Sequence, residues 1–238
     1  MKIINMYFLC GNMVTGKTSL VELIRQQNES FDGFVVLGEQ NFYKNFLNNK
    51  KDKKKQNFHF EVQIFLLNNF LSSLKKIVSN FLRSDQIEID IVTDTFPLIT
   101  GYIFSSLKFK YGLITEDQYL LLSEKYVMVM GEIKLLFLSL RKNGVELKLT
   151  TFFRIVDVNI SLAMLKKRNL KEYNFYIKNL DYYKELNENL ADDLKYNILL
   201  FKIFDANVFN INFVRQKIEK KEDFNLYNRQ VFQTIYKV

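Results

Sequence analysis

One eight-residue segment near the N-terminus constrains the fold of this chain more than any other feature. Residues 11–18 fit the pattern G-x-x-x-x-G-K-[ST]; in order they are Gly11, Asn12, Met13, Val14, Thr15, Gly16, Lys17 and Thr18. The apolar residues 3–9 predict a buried strand before it, and a helical pattern begins at Lys17 and continues through Ser19. A strand, a glycine-bounded loop and a helix in this order are the context in which the pattern binds phosphates. We therefore predict that residues 11–19 bind the polyphosphate of a nucleotide.

Each residue type that the pattern specifies has a physical reason. Gly11 and Gly16 let the backbone turn tightly and approach the ligand, so that successive N–H groups point at it. The helix that begins near Lys17 directs the positive end of its dipole at the same anion. Lys17 adds a full positive charge for the outer phosphates, and the Thr18 hydroxyl can ligate Mg²⁺.

The rest of the chain alternates between apolar strand patterns and amphipathic helix patterns. Five strands are predicted, at residues 3–9, 34–37, 87–93, 147–156 and 198–204. Besides the helix from Lys17, helices are predicted at residues 42–47, 58–82, 102–110, 115–141, 159–167, 173–195 and 208–219. Alternation of this kind predicts an α/β fold with a five-stranded parallel sheet and helices on both faces. We predict a single domain over residues 1–238, because no composition shift marks a second one.

Acidic residues follow three of the predicted strands. Glu39, Asp94 and Asp205 stand where the second, third and fifth strands end. Ligands of parallel α/β sheets bind beyond the carboxyl ends of the strands, where residues 11–18 also lie. One carboxylate there could accept a proton from an attacking hydroxyl and another could help to hold Mg²⁺.

Composition excludes several other classes of function. With one Cys and one His, the chain cannot form an internal disulfide or a Cys/His metal cluster. No apolar run reaches the length of a membrane span, so we expect a soluble, cytoplasmic protein. The net charge of +8 owes much to a lysine run without interleaved aromatics, which favours a solvated loop over a nucleic-acid site; the run comprises Lys50, Lys51, Lys53, Lys54 and Lys55.

Over residues 2–207 the chain resembles the deoxynucleoside kinases, especially the bacterial deoxyadenosine/deoxyguanosine kinase type. Besides residues 11–18, the resemblance rests on Gly38-Glu39, on the segment 58–67 (FHFEVQIFLL) and on Asp94-Thr95-Phe96. Two further segments are similar: Lys166-Lys167-Arg168, where the family's lid begins, and Asp205-Ala206, near the adenine of ATP. The lid would span about residues 166–173.

The resemblance implies a site that transfers the γ-phosphate of ATP to the 5′-hydroxyl of a deoxynucleoside. Glu39 would act as the general base, Arg168 would close over the phosphates with the lid, and Asp94 would assist Mg²⁺ and the substrate. Gln63 would recognise the base, with Glu61 as the other possible register, beside pocket walls that include Phe60 and Tyr43. The family also implies a homodimer. The preferred base and the choice of phosphate donor stay open.

Two departures from the family pattern leave other functions open. Thr95 stands where the family has an arginine, and Leu170-Lys171 replace a second lid arginine, although Lys171 or Arg154 could supply part of the charge. A lysine is a point charge and not a bidentate fork. The alternative is a relative that binds nucleotide without catalysis. A nucleoside-monophosphate kinase is less favoured, because residues 94–101 offer no cation for a second phosphate.

Overall fold

The computed structural model of the chain describes residues 1–11, 16–27, 34–38, 55–94, 97–168, 170–192 and 210–236. Strands and helices alternate through the described residues. The strands are β1 (Ile3–Gly11), β2 (Phe34–Gly38), β3 (Glu88–Asp94), β4 (Glu146–Val156) and β5 (Asn210–Ile218). The helices are α1 (Lys17–Gln27), α2 (Lys55–Arg83), α3 (Pro97–Lys110), α4 (Glu116–Lys142), α5 (Val158–Arg168), α6 (Leu170–Lys178), α7 (Leu180–Ala191) and α8 (Lys221–Tyr236).

The five strands form one parallel sheet in the order β2-β3-β1-β4-β5. β1 is central and is buried from Ile4 onward, as expected for a strand covered on both faces. Its last residue, Gly11, pairs with Arg154 of β4, while Leu9 pairs with Asp94 of β3. The sheet thus brings the carboxyl ends of the inner strands to one edge, next to the start of α1.

Helices cover both faces of the sheet, so the predicted α/β class with a five-stranded parallel sheet is confirmed, although β5 is not the segment predicted as the fifth strand. On one face, Tyr7 and Leu9 of β1 pack with apolar residues of α1 and α8. On the other face, the alternate residues of β1 pack with a larger cluster from α2, α3, α4, α5, α6 and α7; they are Ile4, Met6, Phe8 and Cys10. The sheet therefore has a thin side at α1 and α8 and a thick, helix-rich side.

Helix α4 begins where its sequence predicts. Thr115 Oγ1 accepts from the backbone N–H of Gln118, and the Gln118 side chain accepts from the Thr115 N–H, which completes the capping box. At the other end Asn143 caps the helix and Gly144 follows with φ +76°. These local signals are strong because they satisfy backbone groups that the helix itself leaves unpaired.

Three predicted elements differ in the structure or lie outside its described residues. Residues 210–218 form β5 and not a helix, so the predicted helix over 208–219 is wrong. This segment forms a strand because its backbone pairs with the edge of β4, which a helix would leave unpaired. For a short apolar segment, residue spacing alone does not distinguish a strand from a helix. The predicted strand at 198–204 and helix at 42–47 lie outside the described residues.

The predicted helix over 173–195 is also two helices, α6 and α7. Asn179 separates them, with φ −128° and ψ 51°. Its side-chain amide donates to the Phe175 carbonyl at 2.8 Å, and such local side-chain bonds compete with helical ones. The break lets α7 pack against both α3 and β4.

Candidate functional site

Gly11 and Gly16, the glycines at the two ends of the predicted phosphate loop, have backbone conformations that favour glycine. Their φ angles are +117° and +74°. A β-carbon on Gly11 would lie 1.7 Å from the backbone oxygen of Arg154, so no side chain fits there without moving β1 from β4. These two observations explain why the loop needs glycine at its first and sixth positions.

Lys17 is the first residue of α1 and is half-buried. Its Nζ donates a hydrogen bond to the Gly11 carbonyl oxygen at 3.2 Å, which closes the loop from one end to the other. The Leu20 N–H donates a hydrogen bond to the Gly16 carbonyl oxygen at 3.0 Å, so helical hydrogen bonding begins at Gly16. The ammonium group of Lys17 and the start of a helix therefore lie together at the carboxyl end of the central strand, an arrangement that suits an anion.

Arg154 is a second cation at this edge of the sheet, and it is fully buried. Its Nε donates to Gln216 Oε1 at 2.9 Å, and its Nη2 donates to Asn228 Oδ1 at 2.9 Å. Its Nη1 lies 4.0 Å from the position that a β-carbon on Gly16 would occupy. Burial lowers the pKa of the guanidinium to about 10, so it is still charged at neutral pH.

The register of the sheet places Asp94 next to the loop end of β1. Asp94 is the last residue of β3, and its Cα pairs with that of Leu9 on one side and that of Gly38 on the other. The backbone thus brings together the ends of β1, β2 and β3, as the sequence predicts for a ligand site. The proposed chemical roles of Asp94 and of Thr18, in the first turn of α1, stay predictions.

Gln63, the predicted base-recognising residue, is a buried residue of α2. The hydroxyl of Tyr126 on α4 donates to Gln63 Oε1 at 3.2 Å. The same hydroxyl would lie 1.7 Å from a β-carbon on Gly101 of α3, so glycine there makes room for Tyr126. Three helices on the thick side of the sheet therefore fix the position of Gln63.

Phe60, a predicted pocket wall, and the described parts of the predicted lid fall on helices. Phe60 is partly buried and packs against the large cluster. The predicted lid includes the end of α5, at Arg168, and the start of α6, at Leu170. Lys166 lies over the Tyr173 ring, with Nζ 5.7 Å from its centroid.

The other predicted site residues have no described position. They are Asn12, Met13, Val14, Thr15, Glu39, Tyr43 and Asp205, and all lie outside the described residues. Their assignments therefore stay predictions.

Sequence reasoning missed the groups that surround the loop and Gln63. Tyr126, Gln216 and Asn228 have no motif to mark them, because each comes from a distant segment. The sequence comparison with the family marks Arg154 only as a possible substitute charge, although an arginine inside the apolar run TFFRIV itself indicates a buried functional group.

Among the helices that the structure describes, none has the length and apolar character that a membrane span requires.

Comparison with known proteins gives one clear finding, at the level of fold. No protein-family model matches the chain, and no curated protein matches its sequence. A similar solved structure is that of a deoxyadenosine kinase from M. mycoides with the products dCMP and a flexible dCDP bound. The two share 15% identity and superpose with a TM-score of 0.53 over 96% of this chain and 99% of that one. The chain therefore has the α/β fold of that deoxyadenosine kinase.

Proposed function

We propose that the protein is a kinase that transfers the γ-phosphate of ATP to the 5′-hydroxyl of a deoxynucleoside, in nucleotide salvage. The observation that carries the proposal is the position of Lys17, at the start of α1 and bonded across the loop to Gly11, on the fold of a deoxyadenosine kinase. A cation and a helix start beside two positive-φ glycines favour a polyphosphate ligand. The order of the strands favours a binding site for the acceptor beside this polyphosphate site, since β2 and β3 end at the same edge of the sheet.

In the proposed site the donor occupies residues 11–19, with Lys17 and Arg168 on its phosphates and Asp205 near its adenine. Glu39 accepts the proton of the attacking hydroxyl. The deoxynucleoside lies towards Gln63, Phe60 and Tyr43, with Gln63 recognising the base. Burial of Gln63 and its bond to Tyr126 support this, because a fixed amide discriminates between bases better than a mobile one.

Magnesium fits the oxygen donors that the proposal places beside the phosphates. Thr18 lies in the first turn of α1, and Asp94 ends the strand whose Cα register reaches Leu9, two residues before Gly11. Hydroxyl and carboxylate oxygens are ligands that Mg²⁺ prefers. When bound, Mg²⁺ would neutralise charge on the transferring phosphate.

A panel of deoxynucleosides tests the proposal directly. Wild-type protein with ATP and Mg²⁺ should phosphorylate at least one of the four common deoxynucleosides, measured as nucleoside monophosphate formed. Lys17→Ala should lower that rate by about 10²-fold or more, because it removes a fixed charge from the developing phosphate charge. Glu39→Gln should lower it without weakening ATP binding. Absence of product from every deoxynucleoside at high enzyme concentration would refute transfer.

A non-catalytic nucleotide-binding relative is the second candidate, and Thr95 favours it. If it is right, ATP binds to the wild type and not to Lys17→Ala, but no acceptor is phosphorylated. Thr95→Arg should then create or strongly raise activity, since arginines of this kind contribute about 10³-fold or more. Activity on nucleoside monophosphates alone would instead favour the third candidate, a nucleoside-monophosphate kinase.

We also propose a cytoplasmic homodimer of single-domain subunits, with no nucleic acid as partner. An exposed apolar stripe on α4 supports the dimer; it comprises Leu120, Val127, Met128, Leu135 and Leu138. Apolar patches on one helix face are typical of protein interfaces. Leu135→Asp should give a monomer in light scattering. The control Leu226→Asp, at a similarly exposed leucine on α8, should leave the dimer intact. A wild-type monomer at micromolar concentration would contradict the dimer.

A further inference from the structure

We propose that Arg154 is a positioning residue for Gly11 and Gly16, the two glycines that bound the predicted phosphate loop, and that its buried charge strengthens polyphosphate binding there. This inference rests on the proposed nucleotide site and deepens it. Both glycines lie against this one residue. A β-carbon on Gly11 would lie only 1.7 Å from the Arg154 backbone oxygen, and a β-carbon on Gly16 would lie 4.0 Å from Arg154 Nη1.

Two side-chain amides fix the direction of the guanidinium. Gln216 of β5 accepts from Nε and Asn228 of α8 accepts from Nη2, both at 2.9 Å. Gln216 is itself held, because its Nε2 donates to Gln230 Oε1 at 2.9 Å. Of the Arg154 atoms, Nη1 lies nearest to the place of a β-carbon on Gly16, at 4.0 Å.

The C-terminal helix therefore belongs to the site. Besides Asn228, α8 contributes Phe224, whose ring carbons lie 3.2 Å from the place of a β-carbon on Gly16. Gly16 is thus packed between an aromatic ring and a guanidinium that are both placed by α8. A shift of this helix would therefore move Gly16, the residue directly before Lys17.

Charge, and not only packing, is the expected contribution of Arg154. Burial opposes a guanidinium, yet Arg154 has 0% exposure. A buried charge is screened less by water and salt than a surface one, so it acts on an anion that it does not touch. ATP carries more negative charge than ADP or AMP, so the effect should grow in the order AMP, ADP, ATP.

The first test is Arg154→Gln with Lys148→Gln as the matched control. Lys148 lies on the same strand and loses the same charge, but its side chain is 44% exposed and it pairs with Asn5, at the opposite end of β1. Arg154→Gln should weaken ATP binding about tenfold, with smaller factors for ADP and AMP, and should raise KM for ATP more than KM for the nucleoside. Lys148→Gln should change each affinity less than twofold.

The second test keeps the side-chain shape and changes only the charge. Asn228→Asp retains the acceptor for Nη2 but places a carboxylate against the guanidinium, which should preserve or raise thermal stability. It should nevertheless weaken ATP binding severalfold, because it neutralises Arg154. A purely structural role predicts unchanged or tighter binding, and Arg154→Lys should recover part of the affinity that Arg154→Gln loses.

The outcomes separate this inference from the proposed function. Wild type that binds ATP, together with Asn228→Asp that is folded and binds ATP equally well, would overturn the role of Arg154 alone. Equal losses for ATP, ADP and AMP in Arg154→Gln would also overturn it. Wild type that binds none of the three nucleotides would overturn the nucleotide site and this inference together.

Discussion

Replacing Gly11 by alanine tests how closely the central strand approaches β4. The new β-carbon would lie 1.7 Å from the Arg154 carbonyl oxygen and 2.6 Å from its carbonyl carbon. Both are backbone atoms, so no side-chain rotation relieves the contact. The strands must separate at the loop end of the sheet, which breaks the pairing of Gly11 with Arg154.

The expected cost has two parts. A left-handed φ such as +117° costs a non-glycine residue about 1–2 kcal/mol. Opening the end of the ladder loses one or two hydrogen bonds at about 1 kcal/mol each. Together they give about 3 kcal/mol, which for a chain of this size lowers Tm by about 6–12 °C.

Gly144→Ala is the matched control, measured beside Gly11→Ala by thermal and urea unfolding. Gly144 also has a positive φ, +76°, but a β-carbon there meets nothing within 4 Å. It should therefore show the backbone strain alone, about 1 kcal/mol or a Tm lower by about 2–4 °C. Equal losses in the two variants would refute the close approach of β1 and β4.

Three further changes give distinct expectations. Thr115→Ala removes the cap of α4 and should cost about 1 kcal/mol in urea unfolding; an unchanged midpoint would contradict the capping box. Tyr126→Phe removes the hydroxyl bonded to Gln63 and, on the proposed function, should raise KM for the nucleoside with little change in KM for ATP; a change confined to ATP would argue against a base-recognising Gln63. Hydrogen bonds from the two backbone N–H groups before α8 lower the pKa of Asp223 below the ordinary value of an aspartate. Its contribution to stability is therefore present above the ordinary pKa and is lost as pH falls through the lowered one, so Asp223→Asn should be less stable than wild type at pH 7, and the difference should shrink on acidification.

Local chemistry made part of this fold predictable. The glycines and lysine of residues 11–18 and the Thr115 capping box each identify an element from nearby residues. β5 was missed for the opposite reason. Asn210–Ile218 fits a strand or a helix by spacing, and only its pairing with β4 decides. The helix break at Asn179 was not predicted, because it depends on one side-chain hydrogen bond, from Asn179 to the Phe175 carbonyl.

The site shows the same division. Lys17 was predictable because its motif is contiguous, whereas the surroundings of Arg154 come from β5 and α8. A single sequence gives no signal that Gln216 and Asn228 meet the same guanidinium. Likewise Tyr126 lies 63 residues from Gln63, and only the packing of α2 against α4 brings them together.

The central position of β1 has a consequence for how the protein is made. β1 is synthesised before β3 and β4, with which it pairs, and the contacts between Arg154 and α8 come later still, because Arg154 and Asn228 are 74 residues apart. Contacts between segments so distant in sequence form slowly, because loop closure must precede them. Gly11 and Gly16 are thus synthesised well before Arg154, Phe224 and Asn228, the residues that later surround them. On the proposed function, nucleotide binding by a nascent chain would report that synthesis has reached α8.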